Sequence, residues 1–150
     1  VAHVSRSWPT LKLDPLSQDA AGMAKAALGW ARKHEGPGPL LVYSTEAPEA
    51  VREVQARHGR NEAGAMIEQA MGRIAKGLVE QGVRRLIVAG GETSGAVVGA
   101  LGVKALEIGP EIDPGVPWTT AIGEVPLALA LKSGNFGGDD FFAKAFRMLK

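Results

Sequence analysis

Arg85-Leu86-Ile87-Val88-Ala89-Gly90-Gly91-Glu92-Thr93-Ser94-Gly95 is an apolar run that breaks on paired glycines and continues into hydroxyl residues. Leu86, Ile87 and Val88 show no polar alternation, which suits a strand covered on both faces by helices. Gly90 and Gly91 lift the steric limits on the turn that follows. Thr93 or Ser94 is then placed to cap a helix from Thr93 to Leu101, whose first backbone N–H groups lack partners and point outward. A strand, a glycine turn and a helix start make a favourable place for a phosphate. For an isolated glycine pair, a tight strand-to-helix turn is the plainer account.

Outward from this stretch, strands and helices alternate. Ser17 to Glu35 carries Ala20, Met23, Ala24, Ala27, Leu28 and Ala31 at helical spacing, with Ser17 as the expected N-cap and Gly36-Pro37-Gly38-Pro39 as the stop. Leu40 to Ser44 is an apolar strand. Val1 to Ser7 reads as the end of a helix, and a second helix is expected from Glu46 to about Arg57. The next begins near Asn61, presents Met66, Ile67, Ala70, Met71, Ile74, Leu78 and Val79 on one face, and ends at Gly82.

Beyond the glycine turn, Val103 to Ile108, Trp118 to Ile122 and Val125 to Lys132 are strand candidates. Between the first two lies Gly109-Pro110-Glu111-Ile112-Asp113-Pro114-Gly115-Val116-Pro117-Trp118. Its proline and glycine content predicts irregular turns rather than a regular element. Ser133-Gly134-Asn135-Phe136-Gly137-Gly138 is a second glycine-rich turn, and Asp139-Asp140 caps a final helix from Phe141 to Leu149. The expected fold is a three-layer α/β sandwich with a mostly parallel central sheet, Rossmann-like in alternation.

Composition narrows the function. With 150 residues, 17 Lys and Arg against 16 Asp and Glu, and no cysteine, the chain is one domain by size with a formal net charge of +1. That balance gives no basic surface for nucleic acid and no membrane patch. Disulfides, thiolate metal sites and a cysteine nucleophile are excluded. No apolar run approaches the roughly 18 residues of a membrane span, and a cytoplasmic location is expected. The chain starts at Val1 within ordinary domain sequence, so it reads as a fragment.

Both glycine turns follow a predicted strand and precede a predicted helix, so a parallel sheet brings them to one carboxyl edge, where open α/β sheets place ligands. The second adds Lys132, Ser133 and Asn135, a cation and polar side chains for an anionic group. A phosphate-bearing ligand held between the turns is the simplest functional reading. No lysine completes a Walker P-loop, and the spacing of Gly90, Gly91 and Gly95 does not fit Gly-x-Gly-x-x-Gly.

Single residues carry two readings each. Glu92 is placed for a ribose hydroxyl or to hold magnesium indirectly, although a local hydrogen bond is the plainer role beside a helix start. Asp113 is available as a proton acceptor or metal neighbour, and equally for an Asx-turn with Pro114. Trp118 is available to cover an adenine ring, although a packing anchor is the plainer role. Lys132 ends an apolar strand at the ligand edge, while a snorkelling surface lysine is its plain alternative. His3, His34 and His58 occur one per element with no paired spacing, so no metal site is expected and they read as structural. No nucleophile elbow is present.

The run Val88 to Gly95, the run Ile108 to Trp118 and the run Leu129 to Gly138 together resemble the carboxyl-terminal nucleotide-binding domain of the four-carbon acid sugar kinases, which act on 3-oxo-tetronate, erythronate and threonate. Val42-Tyr43-Ser44 and Gln55 to Gly59 extend the resemblance over nearly the whole chain. It implies ATP-dependent phosphorylation of a hydroxyl on a small sugar acid, usually with Mg2+. The implied ATP contacts are Gly90, Gly91, Glu92 and Thr93 in the first turn and Lys132, Ser133, Gly134, Asn135 and Gly137 in the second. No catalytic base is implied. Family members also carry an amino-terminal sugar-acid domain and an earlier Gly-Ser turn that meets ATP, neither of which precedes Val1 here. The chain alone is therefore expected to be inactive as a kinase. Other readings are a non-catalytic binding or oligomerisation module, with a second copy of the chain as partner, and a different phosphosugar-binding α/β enzyme.

Overall fold

The computed structural model describes residues 8–34, 36–44, 59–123, 126–134 and 136–149. They fall into two compact units, Val1–Ile74 and Ala75–Lys150. The helices expected before Ser7 and from Glu46 to Arg57 lie outside the described residues.

In the first unit, β1 (Thr10–Lys12) pairs in parallel with β2 (Leu41–Tyr43), and α1 (Ala20–Lys33) connects them. Parallel neighbours require such a crossover. Of the predicted stripe, Ala20, Met23, Ala24, Ala27 and Ala31 are buried and Leu28 is half-buried. Ser17 is not the N-cap. Asp19 takes that place, its Oδ1 accepting the Gly22 N–H at 2.7 Å. Ser17 Oγ instead faces the Asp14 carbonyl. His34 closes the helix, its N–H donating to the Ala31 carbonyl and its Nδ1 lying 2.9 Å from the Trp30 carbonyl. The structural reading of His34 stands; His3 and His58 lie outside the described residues.

A long helix, α2 (Arg60–Glu80), runs on into the second unit and closes at Gly82. There the order is β3 (Arg85–Ala89), α3 (Gly91–Leu101), β4 (Leu106–Asp113), β5 (Val116–Ala121), β6 (Leu127–Lys132) and α4 (Phe141–Met148). The four strands form one sheet in the order β3-β6-β5-β4.

The α/β class stands, but the sheet of this unit is mixed rather than mostly parallel. Only β3 and β6 run parallel; β6 with β5 and β5 with β4 are antiparallel. The cause is the stretch from Gly109 to Trp118, which is regular after all. It forms a β-hairpin, with Asp113 paired to Val116 across Pro114-Gly115. Gly115 at φ +81° supplies the left-handed residue that a type II turn needs after proline. Such a short link forces antiparallel neighbours. Pro110 is tolerated because β4 is an edge strand whose register shifts between Ile108 and Glu111.

One face of the sheet packs on α4 through Ile112, Val116, Trp118 and Ala130, which meet Phe141 and Ala145. Val88, Leu127, Leu129 and Ala121, on the other face by strand alternation, are buried as well. On β3 and β6 the contacts come from α3. With Val88 buried and Leu86 and Ile87 half-buried, the apolar run forms the strand its composition predicts.

Candidate functional site

The first glycine turn differs from expectation at its helix. α3 begins at Gly91 and not at Thr93, and its N-cap is Gly90, which has no side chain to cap with. Neither Thr93 nor Ser94 occupies the capping position. Gly90 is at φ +115°, and Thr93 Oγ1 lies 3.3 Å from where a Cβ on Gly90 would stand. The first intrahelical bond is Ser94 N–H to the Gly90 carbonyl at 2.8 Å. The amides of Gly91, Glu92 and Thr93 precede it and are left facing outward at the positive end of the helix dipole. Around Gly91 a Cβ would meet nothing within 4 Å, so the fold does not need a glycine there. Glu92 is exposed in the first turn.

The second turn lies beside the first. β3 and β6 are paired with Ala89 opposite Lys132, and the Gly90 N–H donates to the Lys132 carbonyl at 2.8 Å. Lys132 Nζ folds over its own turn and donates to the Gly134 carbonyl at 2.6 Å. An ammonium has three donors, and the other two have no partner among the described residues. Ser133, Gly134 and Gly137 are exposed, and a Cβ on Gly134 would also meet open space. Asn135 lies outside the described residues. Of the nine residues singled out for ATP, the described eight thus line one edge of the sheet in two neighbouring turns.

The hairpin supports the far end of that second turn. Asp113 Oδ2 accepts the Gly138 N–H at 3.1 Å, and Asp113 Oδ1 accepts from Lys144 Nζ at 2.5 Å. The Phe136 ring sits against Gly115 at the hairpin tip. The Lys144 ammonium, then the Gly138 amide, hold the Asp113 carboxyl below the usual carboxylate range. The Asx-turn expected at Asp113-Pro114 is not formed; Glu111 Oε1 accepts the Gly115 N–H instead, at 2.9 Å. Gly138 and Phe136 were legible only as members of the turn and Lys144 not at all, because their contacts join segments far apart in the chain.

Residues 1–142 match the family model described as "Nucleotide-binding C-terminal domain". The chain belongs to this nucleotide-binding C-terminal domain family. A 3-oxo-tetronate kinase of Pseudomonas fluorescens is 56% identical over 150 residues, covering 99% of this chain and 34% of that protein. One of Cupriavidus necator is 53% identical over 142 residues, covering 94% of this chain and 32% of its own. The chain spans about a third of the length of the curated relatives it matches. A solved Haemophilus influenzae structure of the DUF1537 family superposes with a TM-score of 0.89 at 35% identity, over all of this chain and 37% of that one.

Within this nucleotide-binding domain, Trp118 is a packing anchor and not an adenine cover. It is 2% exposed, its Nε1 donates to the Ala145 carbonyl at 3.0 Å, and its ring meets Phe146 edge-on. Among the described residues no three His, Asp or Glu side chains gather as metal ligands. No helix among them is long and apolar enough to cross a membrane.

Proposed function

We propose that this chain is the ATP-binding part of a cytoplasmic kinase that phosphorylates a hydroxyl of a four-carbon sugar acid. The observation that carries the reading is the pairing of β3 with β6, which sets the two glycine turns side by side at one sheet edge. The naming of its relatives as 3-oxo-tetronate kinases supports the substrate class.

The described residues fit a polyphosphate. Outward amides of Gly91, Glu92 and Thr93 can donate to phosphate oxygens. Lys132, bonded once to Gly134, keeps two donors and its charge for the same group. Gly91 and Gly134 leave space for close backbone approach. Magnesium, with no protein cage among the described residues, would be held mainly by the phosphates, as this hard ion usually is. ATP supplies the phosphoryl group; the chain's part is to bind it, orient it and offset its charge. Recognition of the sugar acid is assigned to a companion domain, consistent with the extra length of the relatives.

Thermal melting of the protein with MgATP tests the reading. A rise in melting temperature at millimolar MgATP that Gly91→Val abolishes is the expected result. An unshifted wild-type melt, together with a stable oligomer in light scattering, would instead support a non-catalytic module. A shift produced by sugar phosphates and not by ATP would move the assignment to another phosphosugar enzyme.

A further inference from the structure

Two of the second turn's supports come from within its own edge of the sheet: Lys132 carbonyl to the Gly90 amide, and Lys132 Nζ to the Gly134 carbonyl. Its other end is held from outside by the β4–β5 hairpin and α4. Asp113, the last residue of β4, reaches across to the Gly138 amide and to Lys144 of α4. Gly137, at φ +82°, rests so close on Phe141 that a Cβ there would lie 2.7 Å from the ring. Phe136 lies on Gly115. The hairpin with its Pro114-Gly115 tip therefore serves as a buttress under the end of the turn opposite Ser133 and Gly134, which follow Lys132 at the sheet edge.

We infer that Asp113 is a positioning residue for nucleotide binding, acting through the Gly138 amide and Lys144 to fix where the second glycine turn stands beside the first. This rests on the nucleotide reading above. Both Asp113 oxygens are engaged within the fold, and its side chain is 13% exposed, as a positioning role requires. Its carboxylate is anchored at one end to a helix and at the other to a turn, which couples the turn to the rigid part of the unit. Charge-assisted bonds of this kind are the stronger class of hydrogen bond. A turn released from them samples other positions, and the free form must then be reordered when ligand binds.

The test is calorimetric titration of the full protein with MgATP, together with hydrogen exchange at the Gly138 amide. Asp113→Asn is nearly isosteric but loses the charge. It is expected to raise the MgATP Kd about tenfold and to speed Gly138 exchange. Lys144→Met should raise Kd by roughly threefold to fivefold, and Lys144→Arg should restore it to within about twofold. Lys144 is 42% exposed, so these two variants keep the inference testable if Asp113→Asn folds poorly. Asp19→Ala, which removes the α1 cap, should lower the melting temperature and leave Kd unchanged. Asp113→Asn binding MgATP as tightly as wild type, or Lys144→Arg behaving like Lys144→Met, overturns the inference. Wild-type protein giving no heat with millimolar MgATP overturns the nucleotide reading instead, and unchanged Gly138 exchange in Asp113→Asn then removes the clamp as well.

Discussion

The Gly90 amide donates to the Lys132 carbonyl at 2.8 Å, tying the first residue of one glycine turn to the last strand residue before the other. Two segments far apart in sequence thus present one surface, and disturbing either turn at its root disturbs both.

Gly90 and Gly91 separate structural need from ligand need. Gly90, at φ +115°, has a conformation that alanine adopts only with strain, so Gly90→Ala should cost about 1–3 kcal/mol in urea denaturation. Gly91 has open space where a Cβ would stand, so Gly91→Ala should hold or slightly raise stability, by up to about 1 kcal/mol. The same Gly91→Ala variant should bind MgATP more weakly in titration. Equal behaviour of the two variants would remove the distinction.

Gly137→Ala should be among the most damaging single changes in the second turn. Its φ of +82° is unfavourable to alanine, and the new Cβ would lie 2.7 Å from the fully buried Phe141 ring. Overpacking of that kind typically costs about 1–3 kcal/mol before backbone strain is counted. The midpoint of urea unfolding reads the loss, and an unchanged midpoint would contradict it.

Ser94→Ala should be neutral or stabilising, by up to about 1 kcal/mol. The Ser94 Oγ is shielded from solvent and has no hydrogen-bond partner among the described residues. Removing a buried hydroxyl that makes no bond relieves a desolvation cost. A marked drop in melting temperature would show that the hydroxyl has a partner after all.

Asp113 should give the protein an acid-sensitive component of stability. Its folded pKa lies below the ordinary 3.8, held there by Lys144 and then by the Gly138 amide. A depressed carboxyl pKa contributes stability that is fully present above the unfolded value and lost as pH falls through the folded one. Urea midpoints of wild type and Asp113→Asn should therefore differ at neutral pH and converge as pH drops below about 4. Curves that stay parallel to pH 3 would exclude the carboxylate as the cause.

Elements governed by local pattern were legible in the sequence. Met23, Ala24, Ala27 and Ala31 repeat at helical spacing and bury together; Leu86-Ile87-Val88 is apolar throughout and lies in a sheet covered on both faces. That the two glycine turns share one edge of the sheet followed from both ending apolar strands; that β3 and β6 are direct neighbours was not encoded there. The hairpin was not legible, because Gly109, Pro110, Pro114 and Gly115 in one stretch signal turns wherever edge pairing is unknown. Pro110 fits only because β4 has a free side. Missing that hairpin also made the sheet look parallel, since its tight reversal sets two of the three pairings. Asp113 and Lys144 are paired across the fold, a relationship no local spacing encodes.

The position of β6 between β3 and β5 also fixes when the binding edge can exist. β4 and β5 meet through a two-residue link and can pair as soon as both are made, whereas β6 must find Arg85 to Ala89 across the whole of α3 and the hairpin. Long-range parallel pairing of this sort pays its loop-closure entropy before it gains contacts, and forms late. During synthesis on the ribosome, the first glycine turn would emerge well before its neighbour and would have to wait, half built, for the strand that completes it. Any ligand that needs both turns would then meet a complete site only in chains that have finished folding.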